Sequence, residues 1–196
     1  LLKMKIEKAQ EKDFVAINTE LISLLAEYET SPTTLSLQLI QAHFVAFNLR
    51  KPEEGKAIIK KMLGLQLNEY EMAQAKMELA DILLFEEKFN QALLYYSQIE
   101  EDLKNDEVAH EASLKAAKTS YFQGDFVWAL KQFKELKSAS TQLIANDALE
   151  YFLLISDNTV ADSTQTALKQ FAKGDYLLYQ NRNQESIAQF QSILKS

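Results

Sequence analysis

Hydrophobic residues recur along most of this chain at the three- and four-residue spacing of amphipathic helices. The clearest part is the stretch 75–136, which carries one helix–turn–helix pattern twice. Three pairs of equivalent positions are each 37 residues apart: Phe89 and Phe126, Ala92 and Ala129, and Tyr96 and Phe133. A repeated period of this size is typical of a solenoid, in which each helix pair packs on its neighbours.

The same periodicity predicts helices along the rest of the chain. Residues 1–29 are helical in pattern, either as one continuous helix or as the remnant of a first helix, 1–10, followed by a second. The other predicted helices are 35–49, 53–63, 69–86, 89–103, 107–122, 126–136, 141–155 and 184–194. One more helix is predicted to begin at a cap, either Asp162 or Ser163, and to run to Tyr179. Gln123-Gly124-Asp125 is expected to be a tight turn, because glycine tolerates positive φ. Ser156-Asp157-Asn158 is expected to end the helix before it.

We interpret the chain as one array of helix pairs with an irregularity near its end. The predicted pieces are an incomplete first repeat at 1–31, repeats at 33–66, 69–104 and 107–140, an extra helix at 142–157, and a last helix pair at 162–196. A different pairing stays open, because 142–155 could pair with 163–179 and leave 184–194 as a cap.

The residues at these spacings resemble the tetratricopeptide repeat family. In that family small residues lie where two helices cross, and large ones fill the next gap. The matching positions are Leu79-Ala80, Ala92 and Tyr96, then Ala116-Ala117, Gly124, Ala129 and Phe133, and more loosely Gly174, Ser186 and Phe190. The chain departs from the motif, because Lys76, Ser113 and Gln170 stand where tryptophan is usual. His43 stands where a small residue is expected, which indicates a register shift of one residue there.

The resemblance implies an all-α fold, a right-handed superhelical solenoid of antiparallel helix pairs, whose function is to bind a protein or peptide. The segments 145–149 and 154–158 also resemble bacterial proteins of this class. The chain begins with Leu-Leu-Lys inside a helical pattern and has no initiator methionine there. We therefore expect a fragment of a larger bacterial protein.

Composition and charge narrow the classes of function. The chain is 47% hydrophobic and 25% charged, with only 4 Gly and 2 Pro, which favours long helices with short turns over disorder. Its net charge of −7 argues against a nucleic-acid partner. No apolar run approaches the roughly 20 residues that span a bilayer, so direct membrane insertion is not expected. The absence of cysteine fits the cytoplasm and the periplasm equally, so the compartment stays open.

Candidate catalytic and metal-binding residues are sparse. Glu107 and His110 have the spacing of one ligand pair in di-iron bundles, but such a site needs a second pair and the sequence has none. No Gly-rich phosphate loop, Gly-x-Ser-x-Gly motif or nucleophile–base pattern is present. We therefore expect a protein that is not an enzyme and has no cofactor, metal or catalytic residue.

The surface that we expect to bind a partner is the concave face of the array. The family resemblance implies that the first helix of each pair lines this face, and the corresponding stripes are aromatic and aliphatic. The candidate partner-binding residues are Phe44, Phe47, Asn48, Met77, Asp81, Leu84, Phe85, Leu114, Lys118, Tyr121 and Phe122. We expect an apolar or amphipathic helix or peptide of another protein to bind there, which makes the protein a scaffold or adaptor.

The sequence is also consistent with two alternatives to an open binding face. The array's own superhelix or the helix 142–155 could bury the stripe. The chain could also be a structural or self-associating array, a homo-oligomer that positions other domains of a longer protein.

Charge is unevenly distributed along the chain. Residues 69–107 contain 11 acids and 3 lysines. One interpretation is that these acids lie on the solvated outer faces of helices. The other is an acidic patch that attracts a basic partner, whose binding would weaken as salt increases.

Overall fold

The computed structural model of the chain describes residues 5–6, 8–28, 30–104, 106–139, 141–161 and 164–194. Every regular element in these ranges is helical, with no strand among them, and the predicted all-α class is therefore confirmed. The predicted helix start at 1–4 and the predicted caps Asp162 and Ser163 lie outside the described residues. The chain divides into two compact units, Leu1–Glu86 and Glu87–Ser196.

The first unit consists of four α-helices in the described ranges. They are α1 (Phe14–Tyr28), α2 (Leu35–His43), α3 (Pro52–Leu63) and α4 (Glu69–Phe85). Short 3-10 turns, Glu11–Asp13 and Pro32–Thr34, precede α1 and α2. Each helix packs on the one before it, and α4 also contacts α2. The core beneath α1 and α2 contains Ile17, Leu21 and Phe44.

The predicted single helix 35–49 is wrong in its second part. The α-helical bonding of α2 ends at His43, and Phe44–Asn48 forms a π-helical turn. The Leu49 amide donates to the Phe44 carbonyl, five residues back, over 3.1 Å. All four residues 44–47 are buried. A regular α-helix with one buried stripe would leave part of such a run outside the core.

A small residue marks the crossing of α2 and α3. A Cβ atom placed on Gly55 would lie 2.8 Å from the Ala42 carbonyl oxygen and 2.9 Å from the Ala46 Cβ. The two helices therefore touch through backbone atoms at this point. Ala42 is fully buried whereas His43 is half exposed, so Ala42 is the small residue at the crossing.

The second unit consists of six α-helices in the described ranges. They are α5 (Phe89–Asp102), α6 (Glu107–Gln123), α7 (Phe126–Ala139), α8 (Gln142–Ala161), α9 (Thr166–Tyr179) and α10 (Asn183–Ile193). Neighbours in sequence from α5 to α8 pack on one another, and α9 packs on α10. Helix α9 also contacts α6 and α8, and this contact shapes the candidate site.

Helix α8 is longer than the sequence predicts. The expected stop at Ser156-Asp157-Asn158 is wrong, because the helix continues to Ala161. Ser156 Oγ donates to the Leu153 carbonyl over 3.2 Å, and Asn158 Nδ2 donates to the Leu154 carbonyl over 2.7 Å. These side chains bond to the preceding turn of their own helix, so they do not break it.

Three residues with left-handed backbone recur at the period of the sequence pattern, whereas Gln165 (φ 55°) does not follow it. Gly124 has φ 81°, which confirms the predicted turn, and Arg50 and Glu87 have φ 56° and 62°. Arg50, Glu87 and Gly124 are 37 residues apart in succession, and Asn181 (φ 56°) follows 57 residues later. After Gly124 and Asn181 the next amide donates to the carbonyl five residues back, over 3.0 and 2.9 Å, which is the closing bond of a Schellman motif.

Candidate functional site

None of the predicted partner-binding residues is fully exposed to solvent. Seven of them are buried: Phe44, Phe47, Met77, Asp81, Leu84, Leu114 and Tyr121. The other four are half-buried: Asn48, Phe85, Lys118 and Phe122. That these side chains contact a partner stays a prediction. Their contacts within each unit show which parts of the predicted surface are already covered by the chain itself.

In the first unit the aromatic stripe packs against its own helices. The Phe44 ring meets Phe14 edge to face with the ring centroids 5.5 Å apart. Phe47 stacks on His43 at 4.2 Å and lies 4.7 Å from Phe85. These rings are therefore part of the packing between α1, α2 and α4.

In the second unit α9 covers the C-terminal half of the stripe on α6. The Phe122 ring lies 5.3 Å from Tyr176 and 5.9 Å from Tyr179, both on α9. Tyr121 is fully buried and lies 5.1 Å from the Tyr151 ring of α8. The chain itself therefore fills the position where a partner of Tyr121 and Phe122 would lie.

Beneath this contact a carboxylate of α9 faces two tyrosine hydroxyls. Tyr151 Oη donates to Asp175 Oδ2 over a long 3.5 Å. The Tyr121 hydroxyl also interacts with Asp175, although this buried hydroxyl has no hydrogen-bond partner among the described residues. Burial raises the pKa of Asp175, and the two tyrosine hydroxyls and Lys118 only partly oppose this. Burial likewise raises the pKa of Tyr121 and of Tyr151, so both hydroxyls stay protonated.

The N-terminal half of α6 borders an open groove instead. Its cavity volume is about 630 Å³, and it lies between residues 107–118 of α6 and the start of α8. Leu114 and Ile144 form a buried apolar floor, whereas Leu143 at the edge is 75% exposed. Of the predicted residues, Leu114 and Lys118 line this groove.

Charged side chains surround the groove. Lys118 Nζ lies 3.2 Å from Asp147 Oδ2 and 5.1 Å from the centre of the Tyr151 ring. Lys115 Nζ lies 3.8 Å from Glu111 Oε1. The Asp106 side chain caps α6 by accepting a bond from the Val108 amide over 2.9 Å. The groove thus offers an apolar floor with charged groups at its edge, which suits an amphipathic segment.

A second depression lies between α9, α10 and the start of α5. Its volume is about 530 Å³, and Phe89, Tyr176 and Arg182 are among the residues that line it. Arg182 bonds to Glu185 and to the Gln180 side-chain oxygen, so its cationic group is already paired.

Sequence reasoning missed the α8 side of the groove and the contacts of Asp175. Leu143, Ile144 and Asp147 follow the helical pattern, but which helix they face depends on how α8 packs. The approach of Asp175 to Tyr151 depends on the folding of α9 onto α6 and α8, for which the sequence carries no local signal.

In the described part of the chain, no group of three or more histidine, cysteine or acidic residues is placed to hold a metal ion. The described helices likewise include none that is both long enough and apolar enough to cross a membrane. Comparison of the chain with protein-family models, curated proteins and solved structures gave no match.

Proposed function

We propose that this protein is a non-enzymatic adaptor that binds a segment of another protein in the groove between α6 and α8. The observation that carries the proposal is the groove itself, with its apolar floor, its exposed Leu143 and its charged edge. A helix or extended peptide could bury the exposed apolar surface there and pair with the charges around it.

We further propose that the helix pairs form a tetratricopeptide-like solenoid. Two features support this: the left-handed turns at the 37-residue period, and the burial of the small residue in the second helix of each pair. Those small residues are Gly55, Ala92, Ala129 and Ser186. At the last crossing, Ser186 Oγ donates to the Gly174 carbonyl over 2.7 Å, which joins α10 to α9 directly.

Leu143 is the best position at which to test the function. Phe122 lies among the tyrosines of α9, so its replacement would disturb packing as well as any partner contact. Leu143 is exposed and borders the groove, so changing it affects the unbound fold little. Because the chain has no cysteine, a single Leu143→Cys substitution can carry a photo-crosslinker at this one site.

We expect peptides enriched from a displayed library of random peptides to crosslink to the Leu143→Cys chain. The matched control is Leu94→Cys, which places the same label at an exposed leucine of α5 away from the groove. Mass spectrometry identifies the crosslinked products. The absence of enriched peptides, or equal crosslinking at both positions, would contradict the proposal.

A second candidate function is self-association of the array. Exposed apolar side chains on α9, on α10 and at the residue that follows α10 favour it: Phe171, Leu178, Ile187 and Leu194. Sedimentation equilibrium tests it, since the mean mass should rise with concentration and return to one chain in an Ile187→Ser/Leu194→Ser variant. A mass of one chain at all concentrations would exclude this function.

A further inference from the structure

We propose that the segment bound in the α6–α8 groove is a basic amphipathic helix, held by an apolar anchor and by lysine or arginine side chains. The inference rests on the proposed function and adds the chemistry of the partner. Two observations carry it: the apolar edge of the groove and the excess of carboxylates around it.

The apolar edge supplies the anchor point. Leu143 is exposed at the second residue of α8, while Leu114 and Ile144 behind it are buried. A single exposed leucine is common on protein surfaces. This one borders a cavity of about 630 Å³, which has room for several partner side chains. An apolar residue placed there would remove Leu143 from water.

The charge around the groove selects cations. Four carboxylates line it together with only two ammonium groups, those of Lys115 and Lys118, which leaves a net of two negative charges. Each lysine already faces a carboxylate of the groove, Glu111 in one case and Asp147 in the other. The net negative charge that remains around the groove attracts a positively charged partner and repels an anionic one.

The same chemistry excludes other occupants. A nucleic acid or an anionic membrane surface would be repelled by these carboxylates. An amphipathic helix can offer one apolar face to Leu143 and the floor of the groove, with cations along both edges of that face.

The test uses two fluorescent helical peptides of about 16 residues, a length that can hold a helix once bound. Both carry the same leucine stripe, and their polar positions are lysine in one peptide and glutamate in the other. By fluorescence anisotropy we expect the lysine peptide to bind about tenfold more tightly at about 50 mM salt. We expect this preference to shrink at about 300 mM salt, where the Debye length is shorter.

Three variants locate the interaction. Leu143→Ser and Glu107→Gln/Glu111→Gln should each weaken binding of the lysine peptide by about fivefold or more. Glu135→Gln/Asp157→Asn makes the same change in net charge at exposed positions that do not line the groove, so it should bind like the wild type. Circular dichroism checks that every variant keeps its helices.

The outcomes separate the two proposals. Equal binding of both peptides, weakened only by Leu143→Ser, would retain the groove as a binding site and overturn its selection of basic partners. An equal loss of affinity in the two double variants would trace the preference to net charge and also overturn it. Failure of both peptides to bind, or binding unaffected by Leu143→Ser, would overturn the proposed function together with this inference.

Discussion

At the scale of single residues, Asp175 is a carboxyl group whose environment differs from that of a surface side chain. It is half-buried under α6 and α8, its hydrogen bond to Tyr151 is long, and the buried Tyr121 hydroxyl near it has no hydrogen-bond partner among the described residues. Burial therefore outweighs the hydrogen bonds, and the pKa of Asp175 rises above its ordinary value. The ionised carboxylate weakens the attachment of α9 compared with the protonated one.

This raised pKa gives a prediction about stability and pH. Because the folded pKa lies above the unfolded one, the contribution of Asp175 is fully present at acid pH and is lost as pH rises through the folded pKa. Asp175→Asn cannot ionise, so its melting temperature relative to wild type should increase from acid to neutral pH. Thermal unfolding followed by circular dichroism measures the difference, with Asp157→Asn as the control at an exposed carboxylate of α8. A difference that decreases with pH would mean that the tyrosine bonds outweigh burial.

At the scale of helices, the crossing of α2 and α3 depends on the absence of a side chain at Gly55. A Cβ there would meet a backbone oxygen and the Ala46 methyl group at less than 3.0 Å, and neither can turn away. The helix propensity of alanine exceeds that of glycine by about 1 kcal/mol, so propensity alone predicts that Gly55→Ala stabilises the protein. The close contact predicts the reverse.

We expect Gly55→Ala to lower the free energy of unfolding by about 1–3 kcal/mol, because forced overpacking outweighs propensity. Urea denaturation measures this. Gly64→Ala is the matched control, since Gly64 has φ −84° and its nearest neighbour would lie at an ordinary 3.4 Å. That substitution should change stability by less than about 0.5 kcal/mol. A Gly55→Ala protein as stable as wild type would show that the two helices are farther apart than described.

At the scale of the whole molecule, the sequence predicts most helices but not their tertiary contacts. Periodicity placed α4 to α7 within a few residues, because long amphipathic stripes dominate there. Only Gly124 signalled a left-handed turn, since Arg50 and Glu87 adopt the same backbone without being glycine.

For the candidate site, too, the sequence predicts the helical stripe but not the tertiary contacts that cover part of it. The stripe on α6 was visible in the sequence, and Leu114 and Lys118 do line the groove. Helix α8 packs on Tyr121 and α9 on Phe122, whereas the other half of the stripe stays open. This difference depends on contacts between segments that are distant in the sequence. A helical pattern identifies an apolar face but not the segment that covers it.

The most direct test of the binding groove is a titration of the isotopically labelled protein with the lysine peptide, followed by amide chemical shifts in NMR. We expect the shifts to concentrate in residues 106–118 and 141–148, with little change in α10. Shifts concentrated in α9 and α10, or spread evenly along the chain, would contradict the assignment of the α6–α8 groove as the binding site.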